Sequence, residues 1–195
     1  PTINVEPTIL SSLEQVEHPS PMLSLLKTKQ VSELVSFLKD KEGLLSWKLD
    51  GLTIVLTYEN GKLVSGVTRG TGLIGEVVTE NVKRFKNVPL TIPYKGHLVL
   101  RGEAVIKYSD FKKMNSELDD GSSQYKNPRN LCSGSVRQLD SSVTAKRNVN
   151  CIIFALIESA DKISNLKSEC FDWLTHQGFE VVEHFKVTSE TLPEE

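Results

Sequence analysis

The sequence lacks several features that mark common classes of protein. It has no apolar run near the ~18 residues of a membrane-spanning helix, and Pro1–Pro7 contains no basic stretch followed by an apolar one. We therefore expect neither secretion nor a membrane partner. Cys132, Cys151 and Cys170 form no C-x-x-C pair, and their odd number argues against a disulfide framework. A reducing, cytoplasmic compartment is expected.

Positive charge is also scarce for a dedicated nucleic-acid-binding domain. The 23 basic residues are offset by 25 acidic ones, which leaves a formal net charge of −2. Any contact with DNA must therefore be local or be supplied by other domains. The chain has no internal repeat and no metal-ligand motif. Its 38% of hydrophobic and 25% of charged residues are ordinary for a water-soluble globular protein.

Patterning along the chain predicts an α+β fold. Residues 1–25 hold four of the eight prolines and little periodicity, so they are predicted to form an irregular N-terminal arm before one domain over residues 26–195. Helices are predicted over residues 29–41, 76–85, 108–117 and 166–176, with a short one beginning at Pro128. Strands are predicted over residues 44–48, 52–58, 62–68, 97–106, 150–157 and 179–187. Hairpin strands mixed with scattered helices favour α+β over a doubly wound parallel sheet.

The dipeptide Asn60-Gly61 is typical of a two-residue hairpin turn. Such a turn predicts the cross-strand pairs Glu59–Lys62, Tyr58–Leu63, Ile54–Val67 and Leu52–Arg69. Arg69 would then lie beside Lys48, where a guanidinium could bind a phosphate. A solvated arginine at a hairpin end is the plain alternative.

The segment Lys48-Leu-Asp-Gly51 is the candidate catalytic motif. Side chains alternate along a strand, so Lys48 and Asp50 are predicted to share one face. A lysine is a nucleophile only when its amine is neutral, a state that nearby cations such as Arg69 favour. Asp50 would position the lysine and balance charge. The motif is short, and a surface salt bridge at a strand end would also produce it.

Two later segments carry further candidates. Arg101 and Glu103 are predicted to share a strand face with a glycine between them, so that Glu103 could bind ribose hydroxyls or pair with Arg101 within the sheet. After Pro128, small residues separate Arg129 from Arg137, and the amides at a helix start favour an anion. The same sequence would also form a well-capped helix without a ligand.

Taken in order along the chain, these segments resemble the NAD-dependent DNA ligases of bacteria. The resemblance runs from His18 to about Leu156. The motifs that carry it are His18-Pro-Ser-Pro-Met-Leu-Ser-Leu25, Lys48-Leu-Asp-Gly51, Tyr58-Glu-Asn-Gly61, Thr68-Arg-Gly70, Val99-Leu-Arg-Gly-Glu-Ala104, Asn127-Pro-Arg-Asn130, Gly134-Ser135, Arg137-Gln-Leu-Asp140 and Ala145-Lys-Arg147. It implies a nucleotidyltransferase fold with antiparallel sheets around a nucleotide cleft.

The resemblance also implies roles for individual residues. Lys48 would attack the α-phosphorus of NAD, release nicotinamide mononucleotide and retain AMP for nicked duplex DNA, with Mg²⁺ as a further requirement. NAD or AMP would be the bound nucleotide. Nucleotide-contacting positions of the family match Ser24, Leu25, Arg69 and Glu103, and basic positions near phosphate or DNA match Arg129 and Arg137.

Several positions depart from the family pattern, and Leu131-Cys132-Ser133 stands where the family has an Ala-rich run. Ser46 stands where the family usually has glutamate, and Thr71 and Val77 each replace an aspartate. These substitutions favour an alternative, a degenerate nucleotide- or DNA-binding module that keeps the fold without completing ligation. The family's nicotinamide-binding module, zinc finger and later DNA-binding domains are not recognised in the sequence. We therefore expect a truncated adenylylation domain, either excised or naturally shortened, that cannot complete ligation alone.

Overall fold

The computed structural model describes residues 12–22, 26–118 and 124–192. The strands are β1 (Gln15–Glu17), β2 (Gly43–Ser46), β3 (Leu52–Glu59), β4 (Lys62–Thr68), β5 (Ile74–Glu76), β6 (Leu98–Val105), β7 (Asn150–Ser159) and β8 (His184–Val187). The helices are α1 (Val31–Leu38), α2 (Thr79–Val82), α3 (Tyr108–Ser116), α4 (Pro128–Val136), α5 (Ser141–Ala145) and α6 (Lys167–His176). No helix in this described part of the chain is both long and apolar enough to cross a membrane.

A four-stranded antiparallel sheet in the order β4-β3-β6-β7 carries the core. Along β3, Ile54, Leu56 and Tyr58 all point to one face and are completely buried, because apolar residues recur there with period two. Phe179, which follows α6, meets the Tyr58 ring edge-on with 5.3 Å between the ring centroids. Burial raises the pKa of Tyr58, whose hydroxyl donates to the Pro89 carbonyl at 2.7 Å. The predicted α+β class with antiparallel sheets is confirmed.

Two small antiparallel sheets flank the main one. Strand β2 pairs with β8, and β1 pairs with β5. Strand β1 lies inside the segment predicted to be an irregular arm. It has only three residues, so it is too short to give a periodic signal, and its hydrogen bonds depend on a partner far along the chain. The division of the chain at residue 25 stays a prediction.

The hairpin of β3 and β4 contains a bulge at Val64. The two pairs nearest the turn are as predicted, namely Glu59–Lys62 and Tyr58–Leu63. Val64 then has no partner, and every later pair is shifted by one residue. The bulge exposes Val64 while Leu63 and Thr68 are both buried. Without it, the period-two alternation would place these two residues on opposite faces.

This shift changes the face on which Arg69 lies. The predicted pairs Ile54–Val67 and Leu52–Arg69 are wrong. Ile54 pairs with Thr68 instead. The Arg69 amide then donates to the Thr53 carbonyl at 2.9 Å, which continues the shifted register by one residue. A one-residue slip exchanges the two faces of a strand, so Arg69 shares the face of Thr53 rather than that of Leu52.

Three other predicted elements are corrected. The helix predicted over residues 76–85 is the strand β5 followed by the single turn α2, because residues 74–76 pair with β1 and the Thr79 hydroxyl binds the Gly66 amide at 3.1 Å. The strand predicted over residues 179–187 is reduced to β8, and the residues before it form only one bridge, between Ile153 and Val181. The strand predicted over residues 44–48 ends at Ser46.

Candidate functional site

A carboxylate that accepts hydrogen bonds from two residues lies at the beginning of β3. Glu103 in β6 lies opposite Thr53, whose hydroxyl donates to Glu103 Oε2 at 2.8 Å. The Gly51 amide donates to Glu103 Oε1 at 3.1 Å. A Cβ on Gly51 would lie 1.9 Å from the Ala104 carbonyl oxygen, so only glycine allows this close approach. Both oxygens of Glu103 are thereby fixed beside the segment that precedes β3.

The pKa of Glu103 is affected by its burial, its hydrogen bonds and two nearby cations. Partial burial raises its pKa from the ordinary value. The hydrogen bonds from Thr53 and Gly51 act in the opposite direction, as do the positive charges of Lys48 and Arg129. Desolvation is the largest of these effects. Lys48, Arg129 and Glu103 therefore belong to one electrostatic cluster.

Lys48 and Asp50 lie in the segment between β2 and β3, which has no regular secondary structure. The prediction that strand alternation puts them on one face is wrong, because β2 ends at Ser46. Both side chains are exposed. Asp50 pairs with Arg129 at 3.2 Å rather than with the lysine. Within the described residues the Lys48 amine forms no hydrogen bond or ion pair, so it is accessible to a ligand.

Trp47 anchors the start of this segment. Its indole N–H donates to Glu183 Oε2 at 2.7 Å, and its amide donates to the Glu183 carbonyl at 3.4 Å. The indole is nonetheless 62% exposed. Trp47 and Gly51 thus hold the two sides of the Lys48 segment. The sequence gives no signal for the Trp47 contact, because Glu183 lies 136 residues away.

Arg69 is held by the N-terminal arm. Its Nη2 donates to the Met22 carbonyl at 3.0 Å. The carbonyl oxygen of Arg69 is 3.0 Å from Nε2 of His18. Arg69, Thr53 and Glu103 form a row across the ends of three strands, since Thr53 lies opposite both of the others. His18 and Thr53 are not among the predicted site residues, although His18 begins a motif that carries the family resemblance.

The two candidate arginines, Arg129 in the first turn of α4 and Arg137 directly after its last residue, have different surroundings. The Asn127 side chain caps α4 by accepting from the Asn130 amide at 2.8 Å, and Pro128 occupies the first turn. Arg129 in that turn reaches Asp50. Arg137 lies eight residues further along, about 12 Å at the rise of a helix, and its Nη2 binds Glu76 at 2.7 Å. The structure brings Arg129, but not Arg137, to the Lys48 segment.

The chain is similar in sequence to a family of known proteins. Residues 10–192 match the family described as NAD-dependent DNA ligase adenylation domain. A DNA ligase of Lachnoclostridium phytofermentans is 59% identical over the whole chain, one of Ruminiclostridium cellulolyticum is 53% identical over the whole chain, and one of Campylobacter lari is 41% identical over the whole chain. The chain belongs to the adenylation-domain family of NAD-dependent DNA ligases. It spans 30% of the length of each of these three relatives.

This family is the one that the order of the motifs along the sequence predicts. The family matches from residue 10, so the match includes the arm residues His18 and Met22 as well as the Lys48 segment. Ser46, at the position where the family usually has glutamate, is the last residue of β2 and lies opposite His184 in β8. The predicted site residues Ser24 and Leu25 lie outside the described residues.

A protein cage for a metal ion is not present in the described ranges 12–22, 26–118 and 124–192. No group of three or more His, Cys, Asp or Glu side chains there could hold an ion. The two carboxylates of the candidate site have other partners, since Asp50 pairs with Arg129 and Glu103 accepts from Gly51 and Thr53. These residues do not fit an all-protein magnesium site.

Proposed function

We propose that this chain is the adenylylation core of an NAD-dependent DNA ligase and that Lys48 carries the AMP. The neutral Nζ of Lys48 attacks the α-phosphorus of NAD, and a P–N bond forms while the P–O bond to the nicotinamide half breaks. Nicotinamide mononucleotide leaves with the electron pair, and the amine loses its proton to solvent. The product is lysyl-AMP, a phosphoramidate that can pass AMP to the 5′-phosphate of a nick.

The observation that carries this proposal is the setting of Lys48. Its amine is exposed and unpaired within the described residues, yet the segment that holds it is fixed by Gly51 and Trp47. A nucleophile needs this combination, because an amine engaged in an ion pair is blocked from attacking a phosphorus atom. Asp50, two residues after the lysine, forms its ion pair with Arg129 rather than with the Lys48 amine.

Glu103 and Arg69 would supply further contacts to the nucleotide. Glu103 accepts two hydrogen bonds from the chain and has lone pairs left for ribose hydroxyls. Arg69 supplies a guanidinium for phosphate oxygens. By family resemblance, Ser24 and Leu25 would line the nucleotide site, and Arg129 and Arg137 would serve phosphate or DNA. Nicked duplex DNA would be engaged by the complete ligase.

Mg²⁺ enters the proposal only through the nucleotide. The described residues offer no cage for it, so the ion would be bound mainly by phosphate oxygens and water, as Mg²⁺ commonly is. It would offset phosphate charge during transfer. The roles given to Lys48, Glu103 and Arg69 do not depend on where the ion sits.

The test is transfer of label from NAD labelled in its adenine to the chain. Wild-type chain with NAD and Mg²⁺ should become labelled and release an equal amount of nicotinamide mononucleotide. Arg69→Ala should slow labelling because it removes a phosphate ligand. Binding of AMP without any covalent labelling would reject the proposal in favour of the degenerate binding module, which Ser46, Thr71 and Val77 favour.

A further inference from the structure

The N-terminal arm contacts the loop after β4 at several points. The His18 amide donates to the Leu73 carbonyl and the Met22 amide to the Gly72 carbonyl, both at 2.8 Å. We name residues 18–22 the latch and residues 69–75 the glycine loop. Pairing of β1 with β5 extends the same contact toward the N-terminus. Backbone hydrogen bonds from the arm therefore help to hold the loop that carries Arg69 in one conformation.

The His18 ring binds the main chain of Arg69 directly. A carbonyl oxygen can only accept, so Nε2 of His18, at 3.0 Å, must carry the hydrogen of this bond. The same carbonyl accepts from the Gly72 amide at 2.9 Å and so closes a four-residue turn. His18 thus secures the turn from which the Arg69 side chain leaves the backbone.

Met22 fixes the direction of the guanidinium. Its carbonyl accepts from Arg69 Nη2 at 3.0 Å, and Met22 itself is only 5% exposed. Gly72 has a φ of 91°, and a Cβ there would lie 3.0 Å from the Met22 carbonyl oxygen. The latch and the glycine loop are therefore in close contact. A guanidinium is a rigid fork of five N–H groups, so binding one of them to a buried carbonyl sets where the others point.

The charge of Arg69 remains available after these contacts. Met22 contributes a neutral carbonyl, and in the part of the chain that the structure describes Arg69 forms no ion pair with a carboxylate. Arg129 and Arg137, by contrast, are each paired with an acid. A guanidinium that is oriented but not neutralised is suited to an anion.

We propose that His18 is a positioning residue for nucleotide binding. It acts through Arg69: the latch sets the turn and the guanidinium so that Arg69 meets a phosphate of the nucleotide beside Glu103. This inference rests on the proposed function, since the anion it assigns to Arg69 is a phosphate of AMP or NAD.

The first test measures the Kd of AMP for the purified chain by calorimetric titration. His18→Ala is expected to weaken AMP binding about tenfold, because Arg69 loses its fixed direction. His18→Gln should recover most of the affinity, since a glutamine amide can donate to the same carbonyl. The matched control is His97→Ala, which removes a histidine paired with Glu59 at the far end of β3 and should leave the Kd unchanged.

A double-mutant cycle separates positioning from general destabilisation. If His18 acts through Arg69, adding His18→Ala to Arg69→Ala should change the Kd of AMP by less than about twofold. A similar loss in both backgrounds would mean that His18 affects binding by another route, and the proposal would be overturned. No loss in the single His18→Ala variant would overturn it equally.

Hydrogen exchange distinguishes failure of the latch from failure of the proposed function. Exchange of the Gly72 amide should be faster in His18→Ala and close to wild type in His18→Gln. Unchanged exchange in His18→Ala contradicts the latch whatever the chain binds. If AMP binding depends on His18 and Arg69 as described but NAD leaves no AMP on the protein, the latch stands and the proposed function fails. A wild-type chain that binds no AMP overturns both.

Discussion

At the scale of single residues, Gly51 links the candidate motif to the sheet. Its amide binds Glu103, and its missing side chain leaves room for the Ala104 carbonyl. Packing therefore explains the glycine of the Lys48-Leu-Asp-Gly51 motif, whether or not the motif is catalytic. Lys48, three residues earlier, has no such structural contact in the described part of the chain, which is consistent with a role toward a ligand.

Gly51→Ala should destabilise the fold. A methyl group 1.9 Å from a carbonyl oxygen must displace backbone on β6, which we expect to cost about 1–3 kcal/mol. The measurement is the free energy of unfolding in urea. Gly134→Ala is the matched control, because a Cβ at this helical position meets no atom within 4 Å. It should be neutral or stabilising, by up to about 1 kcal/mol. Equal effects of the two substitutions would contradict the packing argument.

Glu103 should make stability depend on pH with a defined sign. Its raised pKa means that the folded chain holds this proton more tightly than the unfolded chain. The resulting stabilisation is complete below the ordinary glutamate pKa of about 4.3 and is lost as the pH rises through the folded-state pKa. Glu103→Gln does not titrate, so its Tm relative to wild type should increase from acid to neutral pH.

The control for that comparison is Glu17→Gln, which removes one charge from an exposed position. Its Tm difference from wild type should not follow the profile of Glu103→Gln. A Tm difference for Glu103→Gln that stays constant, or that shrinks toward neutral pH, would mean that burial does not dominate the environment of this carboxyl group.

At the scale of elements, the cap of α4 positions Arg129. Asn127→Ala removes the side-chain acceptor for the Asn130 amide and should lower the free energy of unfolding by about 1 kcal/mol. Asn127→Asp keeps an acceptor and should retain wild-type stability. Thermal unfolding of the two variants checks this. If both variants are equally destabilised, the hydrogen bond is not the source of the stability.

In the hairpin of β3 and β4, the local sequence determines the cross-strand pairs near the turn but not those beyond the bulge. Asn60-Gly61 determines the first two cross-strand pairs, which is why Glu59–Lys62 and Tyr58–Leu63 could be predicted. The bulge at Val64 depends on burying Leu63 and Thr68 together, a requirement of tertiary packing. Gly66 does not mark this bulge, because it pairs regularly with Leu56 and its missing Cβ leaves room for the Val82 side chain.

The sequence predicts the part of the candidate site that lies in the central sheet. The placement of Glu103 on β6 follows from strand patterning. The arm contacts of Arg69 do not follow from it, because His18 and Met22 lie about 50 residues away in an irregular segment. The irregular path after Ser46 was missed for the same reason, since Glu183 holds Trp47 from another part of the chain.

At the scale of the whole molecule, the charge and the length of the chain bear on its binding to DNA. Its formal net charge is −2, and it spans 30% of the length of its ligase relatives. Binding to duplex DNA depends on phosphate contacts by many basic groups. Nick sealing also needs the 5′-phosphate and the 3′-hydroxyl to be aligned, and this alignment accounts for much of phosphoryl-transfer catalysis.

We therefore expect the 195-residue chain alone to leave a nicked duplex unsealed. The assay mixes the chain, NAD, Mg²⁺ and a labelled nicked duplex, and measures joined product by denaturing electrophoresis. A complete NAD-dependent ligase at the same concentration is the positive control. Joined product from the isolated chain at a comparable rate would contradict the view that the remaining length of the relatives supplies DNA alignment.

The most direct test of the account is the intact mass of the chain after incubation with NAD and Mg²⁺, followed by peptide mapping. We expect a gain of one AMP, located on Lys48. We also expect that Lys48→Ala, folded as judged by its Tm, gains nothing. AMP on another lysine, AMP on the Lys48→Ala chain, or no gain by the wild-type chain at saturating NAD would contradict the assignment of Lys48 as the nucleophile.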